Sequence, residues 1–129
     1  IRKFHEATEK NLGEVVVWGS GKPMREFLHV DDLADACLFL MNNYGGNDCI
    51  NVGYGKDISI RDLSVMIAGI TGFQGTISND LTRPDGTYRK LLDSSRINAL
   101  GWHPSIDLEA GIRSTYASYR LSADTARAS

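Results

Sequence analysis

Cysteine, proline and long apolar runs are what this 129-residue sequence has least of, and each shortage excludes something. Its two cysteines, Cys37 and Cys49, stand at no spacing that suits a metal. They read as buried thiols of a reducing cytosol, Cys37 on the inner face of a helix and Cys49 at the start of a strand. The histidines, His5, His29 and His103, lie far apart without cysteine or carboxylate partners at ligand spacing, so no metal site is expected. No apolar stretch approaches the ~20 residues that a bilayer-spanning helix needs. No basic segment followed by an apolar one opens the chain, so no secretory signal is read and a cytoplasmic protein is expected. A formal net charge of -2 supplies no global positive field. Nucleic acid and membrane are therefore not expected partners, although a local basic pocket could still take a small anion.

What is present suffices for a core. Hydrophobic residues make up 42% and charged residues 23%, the balance of a soluble globular chain. A domain of this length buries roughly 65–70% of its unfolded surface. Residues 1–10 carry a helical pattern that begins with neither a methionine nor a cap, as a piece of a longer protein would. Val15–Trp18 reads as a β-branched strand, Gly19–Pro23 as turn chemistry and Arg25–Val30 as a second strand. Asp31 is the expected cap of a helix to about Asn43, with Asp32 and Asp35 favoured by the helix dipole. Its apolar stripe is Leu33, Ala36, Cys37, Leu40 and Met41.

Cys49–Gly53 reads as a strand, and Ser59 with Asp62 as a capping box that opens a helix carrying Ile60, Leu63, Ile67 and Ile70. A short strand is expected at Thr76–Ser78, a polar loop at Asn79–Tyr88 and an extended segment at Lys90–Asp93. Ser94 starts a short helix that Gly101 stops, and Ser105 is the expected cap of a last helix with Leu108, Ile112 and Tyr116. The class is α/β: a small mixed α/β domain over 1–121, too irregular for a complete doubly wound sheet, with a loose tail at 122–129. No internal repeat is visible.

Gly69, Gly72 and Gly75 have the G-x-x-G-x-x-G spacing of nicotinamide-dependent short-chain reductases. That motif works only after a strand and before a helix, where pyrophosphate meets the helix N-terminus. Here a helix precedes the glycines and a strand follows, so the series is read as helix-terminating chemistry. The five tyrosines offer no Y-x-x-x-K either, because the residues four positions on are Asp48, Ile58, Leu92, Arg120 and Ala123. No catalytic and no cofactor-binding residue is assigned.

The most specific string is Trp18-Gly-Ser-Gly-Lys-Pro-Met-Arg25-Glu-Phe-Leu-His-Val-Asp-Asp32, joined later by Arg83-Pro-Asp-Gly-Thr-Tyr-Arg-Lys-Leu-Leu-Asp93. These stretches resemble the C-terminal part of the GDP-L-fucose synthase family, extended short-chain dehydrogenase/reductases also described as GDP-4-keto-6-deoxymannose epimerase-reductases. The resemblance runs from Arg2 to about Ile112. It implies a parent with an NADP-binding Rossmann half that carries the serine, tyrosine and lysine of the chemistry, and through which family members dimerise. A smaller C-terminal part covers the GDP-sugar, and this chain matches that part alone, so the 129 residues by themselves are expected not to turn over.

The resemblance also assigns roles. Arg25 becomes the phosphate-binding arginine, able to fork two charge-assisted hydrogen bonds onto diphosphate oxygens. The alternative for it is an ion pair with Glu26 or Asp32. Trp18 becomes an aromatic contact to sugar or base, where pattern alone would place it in the core. Lys3 becomes a basic substrate contact, although Arg2 and Lys3 read by themselves as a solvated helix face. Asp85 becomes a substrate contact to a sugar hydroxyl or a guanine N–H, against simple turn chemistry. Arg83 and Lys90 are secondary candidates for balancing phosphate charge, and His29 is read as a structural hydrogen bonder. Two rivals remain: another sugar-nucleotide epimerase or dehydratase, and a stand-alone nucleotide-diphosphate binding or interaction module.

Overall fold

The structure, a computed structural model, describes the backbone of residues 1–128 and the side chains of residues 1–123. Five helices and five strands are interspersed along the described chain. The helices are α1 (Arg2–Glu9), α2 (Val30–Asn43), α3 (Ile60–Thr71), α4 (Ser95–Ala99) and α5 (Leu108–Ala128), and the strands are β1 (Glu14–Trp18), β2 (Met24–Glu26), β3 (Asp57–Ser59), β4 (Thr76–Asp80) and β5 (Arg89–Lys90). The strands form two small sheets: β1 and β4 pair in parallel, while β2 lies between antiparallel β3 and parallel β5. This is the mixed α/β class expected from the sequence.

Two apolar clusters hold these pieces. In the first, Phe4 and Ala7 of α1, Val15 of β1, Ile67 and Ala68 of α3, Phe73 and Ile112 of α5 pack together. Phe4 and Phe73 meet edge to face with ring centroids 5.6 Å apart, a preferred aromatic geometry. In the second, Ala36 of α2, Ile97 of α4 and Trp102 are buried, with Leu28, Phe39, Leu40, Ile50 and Val52 against them. The Trp102 indole donates to Asp35 at 2.8 Å, which satisfies the one polar atom of that ring.

Local chemistry explains most helix ends. Ser59 caps α3, its hydroxyl accepting from the Asp62 amide at 3.0 Å and donating to the Asp62 carboxylate at 2.6 Å. Gly72 ends the same helix in the left-handed conformation, φ 76, where a Cβ would be strained. The G-x-x-G-x-x-G series therefore straddles a helix C-terminus, where carbonyls rather than amides are left free.

Several expectations are corrected. The second strand stops at Glu26, because His29, with an extended backbone, is the cap of α2, its Nδ1 accepting from the Asp31 amide at 3.3 Å. Asp31 lies inside the first turn instead. Asp107 rather than Ser105 caps α5, accepting from the Ala110 amide at 2.9 Å. Cys49–Gly53 forms no strand: Ile50 and Val52 reach the second cluster, but the backbone finds no ladder partner among the described residues. The stripe on α2 is covered along one edge, so Leu33, Cys37 and Met41 are exposed while Ala36 is buried. Cys49 is exposed as well. Helix α5 is described to Ala128, and Ser129 lies outside the described residues.

Candidate functional site

Parallel pairing sets β1 against β4 so that Trp18 is opposite Asp80, and both strands release their chains at the same end. The Gly19 amide extends the ladder by donating to the Asp80 carbonyl at 2.9 Å. Trp18 is therefore the last side chain before two loops, 19–23 and 81–88, that leave side by side. Its indole is 64% exposed, which removes the core reading that pattern alone favoured. Two cations approach the ring, Nζ of Lys3 at 5.0 Å and the guanidinium carbon of Arg83 at 5.1 Å from its centroid. Lys3 is held there by donating to the Val16 carbonyl at 3.1 Å, and Arg83 pairs loosely with Asp80 at 3.8 Å.

Asp85 sits across the two loops. Its Oδ1 accepts from the Ser20 amide at 2.8 Å and its Oδ2 from the Ser20 hydroxyl at 2.6 Å. The Ser20 hydroxyl and amide hold the Asp85 carboxyl below the usual carboxylate range. Gly19 makes the approach possible, since its φ is 75 and a Cβ there would collide with Oδ1 of Asp85.

Arg25 is half-buried in the middle of the second sheet. Neither alternative partner engages it: Glu26 accepts from the Gly55 and Leu92 amides, and Asp32 accepts from Ser105 and Ile106. The guanidinium donates from Nη1 to the Met24 carbonyl at 2.6 Å and forms no ion pair among the described residues. Its register partner in β5 is Lys90, so both cations project from one face of the sheet. Like charges side by side are unfavourable unless an anion lies between them. The neighbouring cation Arg89 takes the other face and is matched there by Asp57. A methyl on Gly86 would stand 3.2 Å from Nη2 of Arg25, which brings the loop of Arg83 and Asp85 against this second cationic spot.

The six side chains singled out from sequence thus fall into two groups joined by one loop: Lys3, Trp18, Arg83 and Asp85 at the strand ends, Arg25 and Lys90 on the adjoining sheet. A cavity of about 510 Å³ opens elsewhere, its wall mostly apolar (Phe27, Val30, Leu63, Ile106, Leu108 and Ile112) with His29, Asp107 and Thr115 as its polar side chains, and none of the six side chains singled out lines it. Sequence reasoning missed Ser20, whose only signal was a serine between two turn glycines. It also missed what Asp32 does: only 4% exposed, it receives the Ser105 amide at 3.1 Å, the Ser105 hydroxyl at 2.8 Å and the Ile106 amide at 3.0 Å. Burial raises the Asp32 carboxyl, but those hydrogen bonds and the nearby His29 outweigh it, and the net shift is downward. His29 itself joins α2 to α5 through Nε2 and the Ser114 hydroxyl, 3.1 Å apart, a structural use.

Comparison with known proteins gives the same direction. The model of the NAD dependent epimerase/dehydratase family matches residues 1–53. GDP-L-fucose synthase 1 of Arabidopsis thaliana is 50% identical over 92% of this chain and 37% of its own length. GDP-L-fucose synthase of Escherichia coli strain K12 is 50% identical over 90% of this chain and 39% of its own. A crystal structure of a GDP-L-fucose synthetase from Naegleria fowleri bound to NADP superposes with a TM-score of 0.89 at 27% identity, covering 96% of this chain and 39% of that one. The chain spans well under half the length of the curated relatives it matches. With half of its residues shared with proteins of that name across nearly its whole length, the chain is similar to part of the GDP-L-fucose synthases, and its first 53 residues match the NAD dependent epimerase/dehydratase family.

Proposed function

We propose that this chain is the GDP-sugar-binding portion of a GDP-L-fucose synthase, an enzyme that epimerises GDP-4-keto-6-deoxy-D-mannose and reduces it with NADPH to GDP-L-fucose. The observation that carries the reading is an exposed indole flanked by two cations, together with a guanidinium that has no carboxylate partner among the described residues and faces a second lysine. A nucleoside diphosphate sugar presents a flat base or ring and two phosphates, and these are the surfaces such an arrangement complements. Trp18 offers its face to the base or sugar, Arg25 forks onto the diphosphate, and Lys3, Arg83 and Lys90 balance the remaining charge. Asp85 belongs to the same wall.

NADPH would supply the hydride in such an enzyme when bound. The residues of this chain do not fit it: the glycine series marks a helix C-terminus, and no tyrosine is followed by lysine at the fourth position. No reducing step is therefore assigned to these residues. The cofactor seat, the acid–base groups and the surface of a homodimer would belong to the part of the relatives that this chain does not span. The exposed, unpaired Cys37 and Cys49 suit a cytoplasmic setting.

The test is thermal unfolding of the chain with GDP, UDP and dTDP. Saturation at 100 times the dissociation constant stabilises by about 2.7 kcal/mol. For this length that is a rise in Tm of roughly 8–10 °C. GDP should protect and the pyrimidine diphosphates should not. Equal protection by all three points to another sugar-nucleotide epimerase or dehydratase, and NADPH-dependent reduction of the keto-sugar by the 129 residues alone would refute the division of labour.

A further inference from the structure

The sheet that carries Arg25 and Lys90 is small: β2 and β3 have three residues each and β5 two. Alternation along β2 puts Arg25 on one face and Met24 and Glu26 on the other. On the first face Arg25 and Lys90 stand side by side, and neither has a carboxylate partner among the described residues. Their repulsion works to part β5 from β2. Two side-chain links oppose it from the opposite face. Arg89 of β5 reaches over β2 to Asp57 of β3, donating from Nε to Oδ2 and from Nη2 to Oδ1 at 3.2 Å. The Asp57 side chain is only 10% exposed, which shields this pair better than an open surface pair. Glu26 spreads both ways, its Oε1 accepting from the Gly55 amide at 2.6 Å and its Oε2 from the Leu92 amide at 3.0 Å. Gly53 leaves room for that carboxylate, since a Cβ there would lie 2.6 Å from Oε1 and 2.9 Å from Oε2.

We infer that Glu26 and the Asp57–Arg89 pair are straps on the back of this sheet that hold Arg25 and Lys90, on its front, close enough to share one diphosphate. The inference rests on the diphosphate reading above. Each strap ties the β3 side of the sheet to the β5 side across β2, so each opposes the separation that the like charges favour. With the straps in place, the two cations meet the ligand already paired, and the bound anion relieves their repulsion. With a strap removed, β5 and Lys90 must be brought back to Arg25 at each binding event, and that ordering weakens affinity. Glu26, Asp57 and Arg89 are thus positioning residues that do not touch the ligand. The straps carry a distinctive sign. Removing the negative charge of Glu26 or Asp57 should weaken anion binding, whereas Coulomb's law alone says it should strengthen it.

The experiment is calorimetric titration of the chain with inorganic pyrophosphate and with GDP at one ionic strength. Wild type is compared with Glu26→Gln, Gly53→Ala, Asp57→Asn, Arg89→Gln, Arg89→Lys and the double variant Asp57→Asn with Arg89→Gln. Asp57→Asn and Arg89→Gln should each weaken both ligands by roughly three- to tenfold, and the double variant should bind no worse than the weaker of the two. Plain electrostatics gives those two changes opposite signs and lets them add. Arg89→Lys keeps the charge and one bond to Asp57, so it should fall between Arg89→Gln and wild type. Glu26→Gln should speed hydrogen exchange at the Gly55 or Leu92 amide and weaken both ligands. Gly53→Ala, which alters no charge, should do the same. If Glu26→Gln does not fold, the Asp57 and Arg89 variants decide alone. Tighter pyrophosphate binding in Asp57→Asn, or additive effects in the double variant, overturns the straps. So does unaltered affinity throughout, and each of these results leaves the diphosphate reading standing. Were wild type to bind neither pyrophosphate nor GDP, the diphosphate reading fails and the straps' role in affinity fails with it.

Discussion

Asp32→Ala tests the energetics of the fold at a point where the structure allows a magnitude to be worked out. The carboxylate accepts from two backbone amides and one hydroxyl that hold the start of the α5 approach against α2. A buried donor stranded without its acceptor costs about 1–3 kcal/mol. The Ser105 hydroxyl can rotate to water and drops out. Ser105 is exposed and Ile106 half-buried, so water can partly reach the two amides once the carboxylate is gone. That places the expected loss near the lower end for two donors, about 2–3 kcal/mol, or roughly 7–10 °C in Tm. Asp32→Asn keeps one accepting oxygen and should lose about half as much.

The sign of the pH dependence follows from the depressed carboxyl. An aspartate whose folded pKa is lowered contributes stability above its unfolded value, about 3.9, and that contribution fades as pH falls through the folded value. The gap between wild type and Asp32→Asn should therefore be full at neutral pH and narrow below about pH 4. Urea unfolding at several pH values, with an unchanged m, measures both. A loss under about 1 kcal/mol for Asp32→Ala, or a gap that widens in acid, refutes the reasoning.

Two further outcomes concern the site. Arg25→Lys keeps the charge but not the fork, and should weaken GDP about tenfold in a calorimetric titration with Tm nearly unchanged, because the guanidinium's one bond here is to the adjacent carbonyl; unaltered affinity would mean the fork does not meet the diphosphate. Trp18→Ala should weaken GDP by about three- to tenfold. Since Trp102 is buried and Trp18 exposed, GDP should change the emission of wild type and leave that of the variant unmoved.

How much of this was legible in the sequence depends on what each signal measures. Capping and termination are local, so Ser59, Asp62 and Gly72 announce α3 correctly, and the refusal of the glycine series follows from them. Strand pairing is not local. Val15–Trp18 and Thr76–Ser78 are both readable as strands, but nothing in either says that they pair in parallel and release Trp18 beside the 81–88 loop. Cys49–Gly53 has the composition of a strand and remains unpaired, because pairing needs a partner edge as well as a pattern. The stripe on α2 fails in a related way: periodicity marks which residues could be buried together, whereas Leu33 and Met41 are 44% and 79% exposed because no element among the described residues covers that edge. At the site, the resemblance named side chains to inspect, and Ser20 escaped because its contact exists only once Asp85 arrives from 65 residues away.

The division between the two kinds of residue is physical. An indole at the end of a strand and two cations facing each other are each unfavourable where they stand, and none of them supports either apolar cluster. They persist because the strands beneath them are fixed by other groups: Val15 in the first cluster, the β1–β4 ladder, Glu26 clipping two backbone amides. Substitutions at Trp18, Arg25 or Lys90 should therefore move binding while leaving the unfolding midpoint nearly still, whereas those at Asp32 or Trp102 should do the reverse.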